Sequence, residues 1–282
     1  IQTAFSEDLQ DGVDLTTEAL VPVDAVGKVN IVSRQTGVLA GNAVAEAVFS
    51  FLDPAVRFHQ VVEDGAALSP GTVVAEIEGS MRSILTAERT ALNFLTMLSG
   101  NASLTRKYVD AVSESSALIL DTRKTIPGLR ALQKYAVRCG GGTNHRIGLY
   151  DAILIKDNHL AWWKSESQGT LADAVIDARG TVKAGVIVEI EVDSLEQLEE
   201  TLPGNPDIVL LDNMSNQQLS TAVELRNRLA KNVQLEASGG VTLDRVASIA
   251  ATGVDRISVG ALTHSAIALD LGFDWSQTAI VR

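Results

Sequence analysis

The sequence predicts an α/β protein: a barrel of parallel strands, complete or open, behind an N-terminal region of different texture. Three observations carry this reading. From residue 117 on, short β-branched runs alternate with helical stretches. The runs are apolar with little polar alternation, as in strands covered on both faces. Most of them also end in a polar residue or glycine, and barrel active sites gather at the carboxyl ends of strands.

The strand-like runs are 117–120, 152–155, 186–192, 208–211, 233–237 and 256–259. Helical patterns fill the gaps at 129–138, 171–182, 195–202, 216–230 and 243–251. Start signals support them: Pro127 at a first turn, Ser194 followed by Gln197, and Thr242 before Leu243. Six βα units favour a barrel over a short doubly wound sheet. The first part of the chain reads differently, so the domains are set at 1–115, an α/β sandwich, and 116–282, the barrel. In the former, 29–33, 61–63 and 73–78 read as strands, and two helical segments run over 40–52 and 83–112. The second helix is expected to break near Ser99-Gly100. The stretch VEDGAALSPGTVVAEIEG is similar to half of a biotinyl/lipoyl-type sandwich, but its neighbourhood lacks the lysine a carrier hairpin needs.

Composition narrows the function. Lone Cys139 excludes an internal disulfide framework and a multi-cysteine zinc site, and it fits a reducing, cytoplasmic setting. No apolar run reaches the ~18 residues of a membrane span. The chain starts at Ile1 without methionine, which points to a preceding piece, and no basic-then-apolar signal is present. A net charge of −12 disfavours nucleic acid and anionic membranes as partners. The charge is uneven: residues 121–160 hold seven basic side chains against three acidic ones, together with His145 and His159. Such an island suits capture of a small polyanion. For Arg130 and Lys134 a solvated helix surface is an equally good reading; Arg123, Lys124 and Lys156 follow apolar runs and fit it poorly.

The strand ends supply the chemistry. Lys156 follows AILI, Glu191 and Asp193 close IVEIEVD, and Asp212 closes IVLLD. Glu191 and Asp212 end adjacent strands, where they can share Mg²⁺ or hold ribose hydroxyls. The plainer reading pairs one of them with Lys124 or Lys156. Glu189 and Asp193 stand two residues from Glu191, and residues two apart share a face, so period does not separate the three acids. Ser238-Gly239-Gly240 and Val259-Gly260-Ala261 follow the last two strands, each opening a helical segment, as phosphate-binding turns do in barrels. Gly140-Gly141-Gly142 serves equally well as a helix stop. His145-Arg146 joins a titratable donor to a bidentate carboxylate grip. Trp162-Trp163 reads as packing before a lid, and His59 as surface or core.

These pieces resemble the quinolinate phosphoribosyltransferase family. The matching stretches are EDLQDGVDLTT, LTAERTALNFLTMLSG, DTRKTIPGLRALQKYAVRCGGGTNHRIGLYDAILIKDNH, EVDSLEQL, LLDN, SGG and VGALTHS. One departure is Val13, inserted where the family has Gly-Asp directly. The resemblance implies an open barrel with an N-terminal sandwich, a cytoplasmic enzyme of NAD biosynthesis, and a homodimer in which Arg89 acts in trans. It implies quinolinate contacts from Arg89, Thr122, Arg123, His145, Arg146 and Lys156. Phosphoribosyl pyrophosphate is expected at Lys124, Glu191, Asp212, Ser238, Gly239, Gly240, Val259, Gly260, Ala261 and His264. Lys124, Glu191 and Asp212 are the expected catalytic residues, and Glu191 and Asp212 the expected Mg²⁺ ligands. The competing readings are a sister transferase acting on nicotinic acid, which needs fewer cations, and an aldolase with Lys156 as Schiff-base nucleophile.

Overall fold

The structure is a computed structural model that describes residues 1–10 and 12–275 and the backbone of 280–281. The chain divides into two compact units: 1–104, 138–141 and 266–282 form one, and 105–137 with 142–265 the other. The first opens with α1 (Gln2–Leu9), α2 (Leu15–Leu20), β1 (Val26–Ser33), β2 (Gly37–Val38), α3 (Asn42–Leu52), β3 (Arg57–Gln60), β4 (Ala67–Leu68), β5 (Val73–Ser80) and α4 (Met81–Ala111). Asp14, next to the inserted Val13, caps α2 by accepting from Thr17 N at 3.0 Å. The core beneath the sheet gathers Ile31, Phe49, Ile77, Leu92 and Leu95. The strand expected at 61–63 lies earlier, at β3, an edge strand with three exposed residues that apolar patterning passes over. The expected break in α4 does not occur; the helix runs unbroken through Gly100. A Cβ there would fall 2.2 Å from Ile267 O, so this glycine admits a neighbouring backbone and does not end the helix.

The second unit continues with β6 (Leu118–Leu120), α5 (Arg130–Cys139), β7 (Ala152–Ile155), α6 (Asp157–Glu166), α7 (Leu171–Gly180), β8 (Ile187–Val192), α8 (Leu195–Thr201), β9 (Ile208–Asp212), α9 (Asn216–Leu229), β10 (Gln234–Ser238), α10 (Leu243–Ala250), β11 (Arg256–Ser258) and the four-residue α11 (Ala261–His264). Its six strands are parallel and lie in the order β6-β11-β10-β9-β8-β7. The first strand therefore returns beside the last, as in a barrel, but β6 and β7 do not pair. This is the open α/β barrel, with its gap between those two strands. Thr143 makes a parallel bridge to Leu120 on the gap side of β6. β9 is buried over four of its five residues, which explains its unbroken apolar run. Ser194 caps α8 through Gln197 N, as its spacing indicates. Finally β12 (Leu271–Asp274) and β13 (Ile280–Val281) pair antiparallel with β1, so the end of the chain completes the first unit's sheet, a return that nothing in the local sequence announces.

Candidate active site

A cavity of about 540 Å³ opens at the carboxyl ends of the barrel strands. Thr122, Arg123, Lys124, His145, Arg146 and Lys156 line one part of it; Glu191, Asp212, Ser238, Gly239 and Gly240 line another. Eleven sequence-expected residues thus meet in one pocket, because each lies at or just past the carboxyl end of a strand or in the segment filling the β6–β7 gap. Val259, Gly260, Ala261 and His264 are not in its lining, although a Cβ on Gly260 would approach Lys124 Cδ to 3.2 Å and His264 Nε2 to 3.0 Å. Val259 is buried, its N–H bonded to Leu120 O. The helix this turn opens is only four residues long, so its dipole is small. Arg89 is exposed on α4 in the first unit.

The charges are engaged in specific ways. Lys156 is ion-paired with Glu191, which makes one of the two carboxylates a lysine partner. The salt bridge engages that ammonium, and with Arg123 and Arg146 in the same lining the arrangement suits an anionic substrate. Asp212 Oδ2 accepts from Asn213 Nδ2 at 2.6 Å, and Asn213 N–H donates to Ser238 O at 2.9 Å, linking two strand ends. Thr122 Oγ1 accepts from Lys124 N at 3.0 Å, and Thr263 Oγ1 donates to Lys124 O at 2.8 Å, so the lysine's backbone is fixed from both sides. Burial and the neighbouring Arg123 guanidinium lower the pKa of Arg146. Two cations so close favour a shared anion between them.

Gly239 has φ +92°, and a Cβ there would fall 2.2 Å from Asn213 Oδ1 and 2.9 Å from Asn213 N. Gly239→Ala should therefore push Asn213 and Asp212 out of place. We expect a stability loss of about 1–3 kcal/mol, read from thermal unfolding, and an apparent affinity for phosphoribosyl pyrophosphate weakened about tenfold.

Two functional side chains, Glu236 and Arg256, carry no assignment from the sequence, and they join His145 and Glu189 in one cluster. His145 Nε2 lies 3.1 Å from Glu189 Oε2 and 3.3 Å from Glu236 Oε1, and Arg256 Nε donates to Glu236 Oε2 at 2.8 Å. Glu189 and Glu236 are fully buried. A second cavity, about 670 Å³ at the amino ends of the strands, shares His145 and Arg146 with the first. Burial pulls the His145 imidazolium down, but hydrogen bonds and charge from Glu189 and Glu236 outweigh it and push its pKa up to about 9. Against this, Arg146 N–H donates to His145 Nδ1 at 2.7 Å, which favours a neutral ring with its proton on Nε2. The contact is the firmer constraint, since two nitrogens this close cannot both carry hydrogens in line. Both ring nitrogens are thus occupied, and His145 offers the pocket its ring edge and no free donor. His145, Glu189 and Glu236 form the one trio of His, Cys, Asp or Glu, among the described residues, close enough to share a metal ion. With its proton on Nε2, however, the ring has no lone pair for one. A signal for the cluster did exist: Glu236 is the one charged residue in the strand run 233–237.

Lys134 is buried and Arg130 is half-buried. Lys134 is 1% exposed and ion-paired with Asp121, which is 0% exposed. Arg130 bonds Thr125 Oγ1 and Ile147 O. Cys139 lies at the end of α5, where the glycine run stops the helix. Trp162 is exposed on α6 and Trp163 donates to Asp177 across to α7, a packing role. His59 is exposed on β3.

An open α/β barrel whose carboxyl-end pocket sets a cationic part beside carboxylates and a glycine turn defines a barrel transferase for anionic substrates. Models of the quinolinate phosphoribosyl transferase N-terminal and C-terminal domains match residues 14–99 and 101–274. The chain is 48% identical over 276 residues to the nicotinate-nucleotide pyrophosphorylase [carboxylating] of Mycobacterium leprae, covering 97% of this chain and 95% of that protein. It is 38% identical to a quinolinate phosphoribosyltransferase [decarboxylating] of Nicotiana tabacum, covering 96% and 80%. The crystal structure of NadC from Streptococcus pyogenes superposes with a TM-score of 0.90 at 40% identity, covering 97% and 94%. The chain belongs to the quinolinate phosphoribosyltransferase family.

Proposed function

We infer that this protein transfers the phosphoribosyl group of phosphoribosyl pyrophosphate to quinolinate and releases CO₂, yielding nicotinate mononucleotide and pyrophosphate for NAD biosynthesis in the cytoplasm. The observation that carries the reading is the single pocket in which Arg123, Arg146 and Lys156 stand beside Lys124, Glu191, Asp212 and the Ser238–Gly240 turn. Three cations suit a substrate with two carboxylates better than one with a single carboxylate, which favours quinolinate over nicotinic acid. No helix among the described residues is long and apolar enough to cross a membrane.

The ring nitrogen attacks C1 of the ribose as the C1–O bond to pyrophosphate breaks. Positive charge grows at C1, and Glu191 or Asp212 stabilises it. Lys124 neutralises the departing pyrophosphate. In the resulting pyridinium the bond to the 2-carboxylate breaks, its electron pair stays on the ring beside the cationic nitrogen, and C2 takes up a proton. The enzyme's share is mostly positioning: Arg123, Arg146, Lys156 and Thr122 hold quinolinate against a second anion that repels it. His145 supports this set from beneath, through Arg146. Glu191 and Asp212 offer the hard oxygens Mg²⁺ takes alongside phosphates, so the pocket fits that ion. Bound there, Mg²⁺ would supply charge neutralisation for the pyrophosphate. Ser238, Gly239 and Gly240 serve the phosphates, with Gly260, Ala261 and His264 in the turn beside Lys124, while buried Val259 holds that turn to Leu120. In a homodimer, Arg89 of one protomer would reach quinolinate bound by the other.

The test is turnover with quinolinate, phosphoribosyl pyrophosphate and Mg²⁺, following CO₂ and nicotinate mononucleotide together. Equal release of both, with nicotinic acid a poor substitute, is the expected result. Turnover of nicotinic acid alone would move the chain to the sister reaction, and turnover of neither would overturn the assignment.

A further inference from the structure

Helix α5 directs three polar side chains, within one and a half turns, at the segments that carry the pocket's cations. Arg130 donates from Nε to Thr125 Oγ1 at 3.1 Å and from Nη1 to Ile147 O at 3.2 Å. Gln133 accepts from Ile126 N at 2.8 Å and donates to Thr263 O at 2.6 Å. Lys134 Nζ pairs with Asp121 and donates to His145 O at 2.9 Å. Asp121 in turn accepts from His145 N at 2.9 Å and from Asn144 Nδ2 at 2.5 Å. Asn144 Nδ2 also donates to Lys134 O at 2.8 Å, closing the network.

The centre of this network is costly. Burial works against both charges, lowering the pKa of Lys134 and raising that of Asp121. A fully buried ion pair is a poor stabiliser, since desolvation offsets most of its attraction and an apolar pair would often serve as well. What an apolar pair cannot do is bond the N–H and the C=O of one backbone residue. Lys134 and Asp121 do so at His145, in the segment that occupies the gap between β6 and β7 and ends at Arg146. Asp121 also directly precedes Thr122, Arg123 and Lys124, so one pair ties together the two neighbouring chain segments that line the cationic part of the pocket.

We propose that the Lys134–Asp121 pair is a positioning device: it locks the backbone of Asn144–Arg146 to the end of β6 and so sets Arg146 against Arg123 at the quinolinate carboxylates. The proposal rests on the functional reading above. Neither residue lines the pocket, so both act through the segments they hold.

The experiment compares Lys134→Met with the double variant Asp121→Asn/Lys134→Met, measuring thermal stability, quinolinate Kd by calorimetry, and the KM for each substrate with kcat. Lys134→Met leaves a buried carboxylate unpaired and should lower Tm; the neutral double variant should recover it. A pair that only stabilised the fold would bring quinolinate affinity back along with Tm. A positioning pair leaves quinolinate Kd and KM raised about ten- to hundredfold in the recovered double variant, with phosphoribosyl pyrophosphate KM within about twofold of the parent. Should both variants fail to fold, Asn144→Ala cuts the tie to Asp121 without unpairing a buried charge and reads the same constants. Wild-type quinolinate affinity in the folded double variant, or in Asn144→Ala when that is the variant read, would overturn the proposal. Parent protein that binds no quinolinate would instead overturn the functional reading.

Discussion

Replacing Arg146 with alanine should raise the quinolinate KM roughly 30- to 700-fold, the equivalent of about 2–4 kcal/mol for removing one partner of a partly buried charge pair. Three features set that magnitude. Arg146 is half-buried, so its guanidinium meets a carboxylate with little water between them. One of its nitrogens is committed to Ala152 O at 3.1 Å, which aims the rest of the fork. The like charge that acts on it is Arg123, and the two repel until an anion sits between them. Arg146→Lys should recover only part of the loss, since an ammonium keeps the charge and loses the fork. Steady-state kinetics with each substrate varied in turn reads the effect, and the KM for phosphoribosyl pyrophosphate should move less than about twofold. An unchanged quinolinate KM in Arg146→Ala would take this residue out of the substrate's grip.

Arg146 also shows what a sequence can and cannot convey about such a site. The barrel was legible because parallel strands covered on both faces are written as short apolar runs, and β7, β8 and β9 begin within a residue of where those runs do. The pocket was legible for the same reason: a polar residue at or directly after the end of such a run is placed by the strand itself, as with Lys156, Glu191 and Asp212. What stayed hidden depends on partners distant in sequence. Nothing local tells that Lys134 is buried, because its partner Asp121 is thirteen residues away and across a helix–loop packing. β12 carries no mark of pairing with β1, some 240 residues earlier. In sequence His145 reads as a titratable donor for the substrate, because its ring contacts, one with the next residue's own N–H and others with carboxylates on β8 and β10, exist only in the folded chain. Gly100 read as a helix break because composition does not distinguish a glycine that ends a helix from one that admits a passing backbone.

The Glu191–Lys156 pair connects the two parts of the pocket, and it sets up the second large effect. Glu191→Gln should lower kcat about 100- to 1000-fold, the scale seen when one preorganised electrostatic group is taken from a transition state. Glutamine keeps the size of the side chain and can still accept a hydrogen bond from Lys156, so what is removed is the negative charge. The charge matters most when C1 of the ribose turns cationic, and least in the ground state, where both substrates are anions. The loss should therefore fall on kcat and kcat/KM equally, with the KM for quinolinate unchanged. Titrating Mg²⁺ in the same variant separates the two tasks this carboxylate has. If the rate deficit persists at saturating Mg²⁺, Glu191 acts on the ribose; if added Mg²⁺ restores the rate, its task is to hold the ion, and stabilisation of C1 falls to Asp212. Asp212→Asn is then the variant whose kcat should collapse, because Asp212 ends the neighbouring strand, held by the Asn213 amide and, among the described residues, in no salt bridge with a lysine.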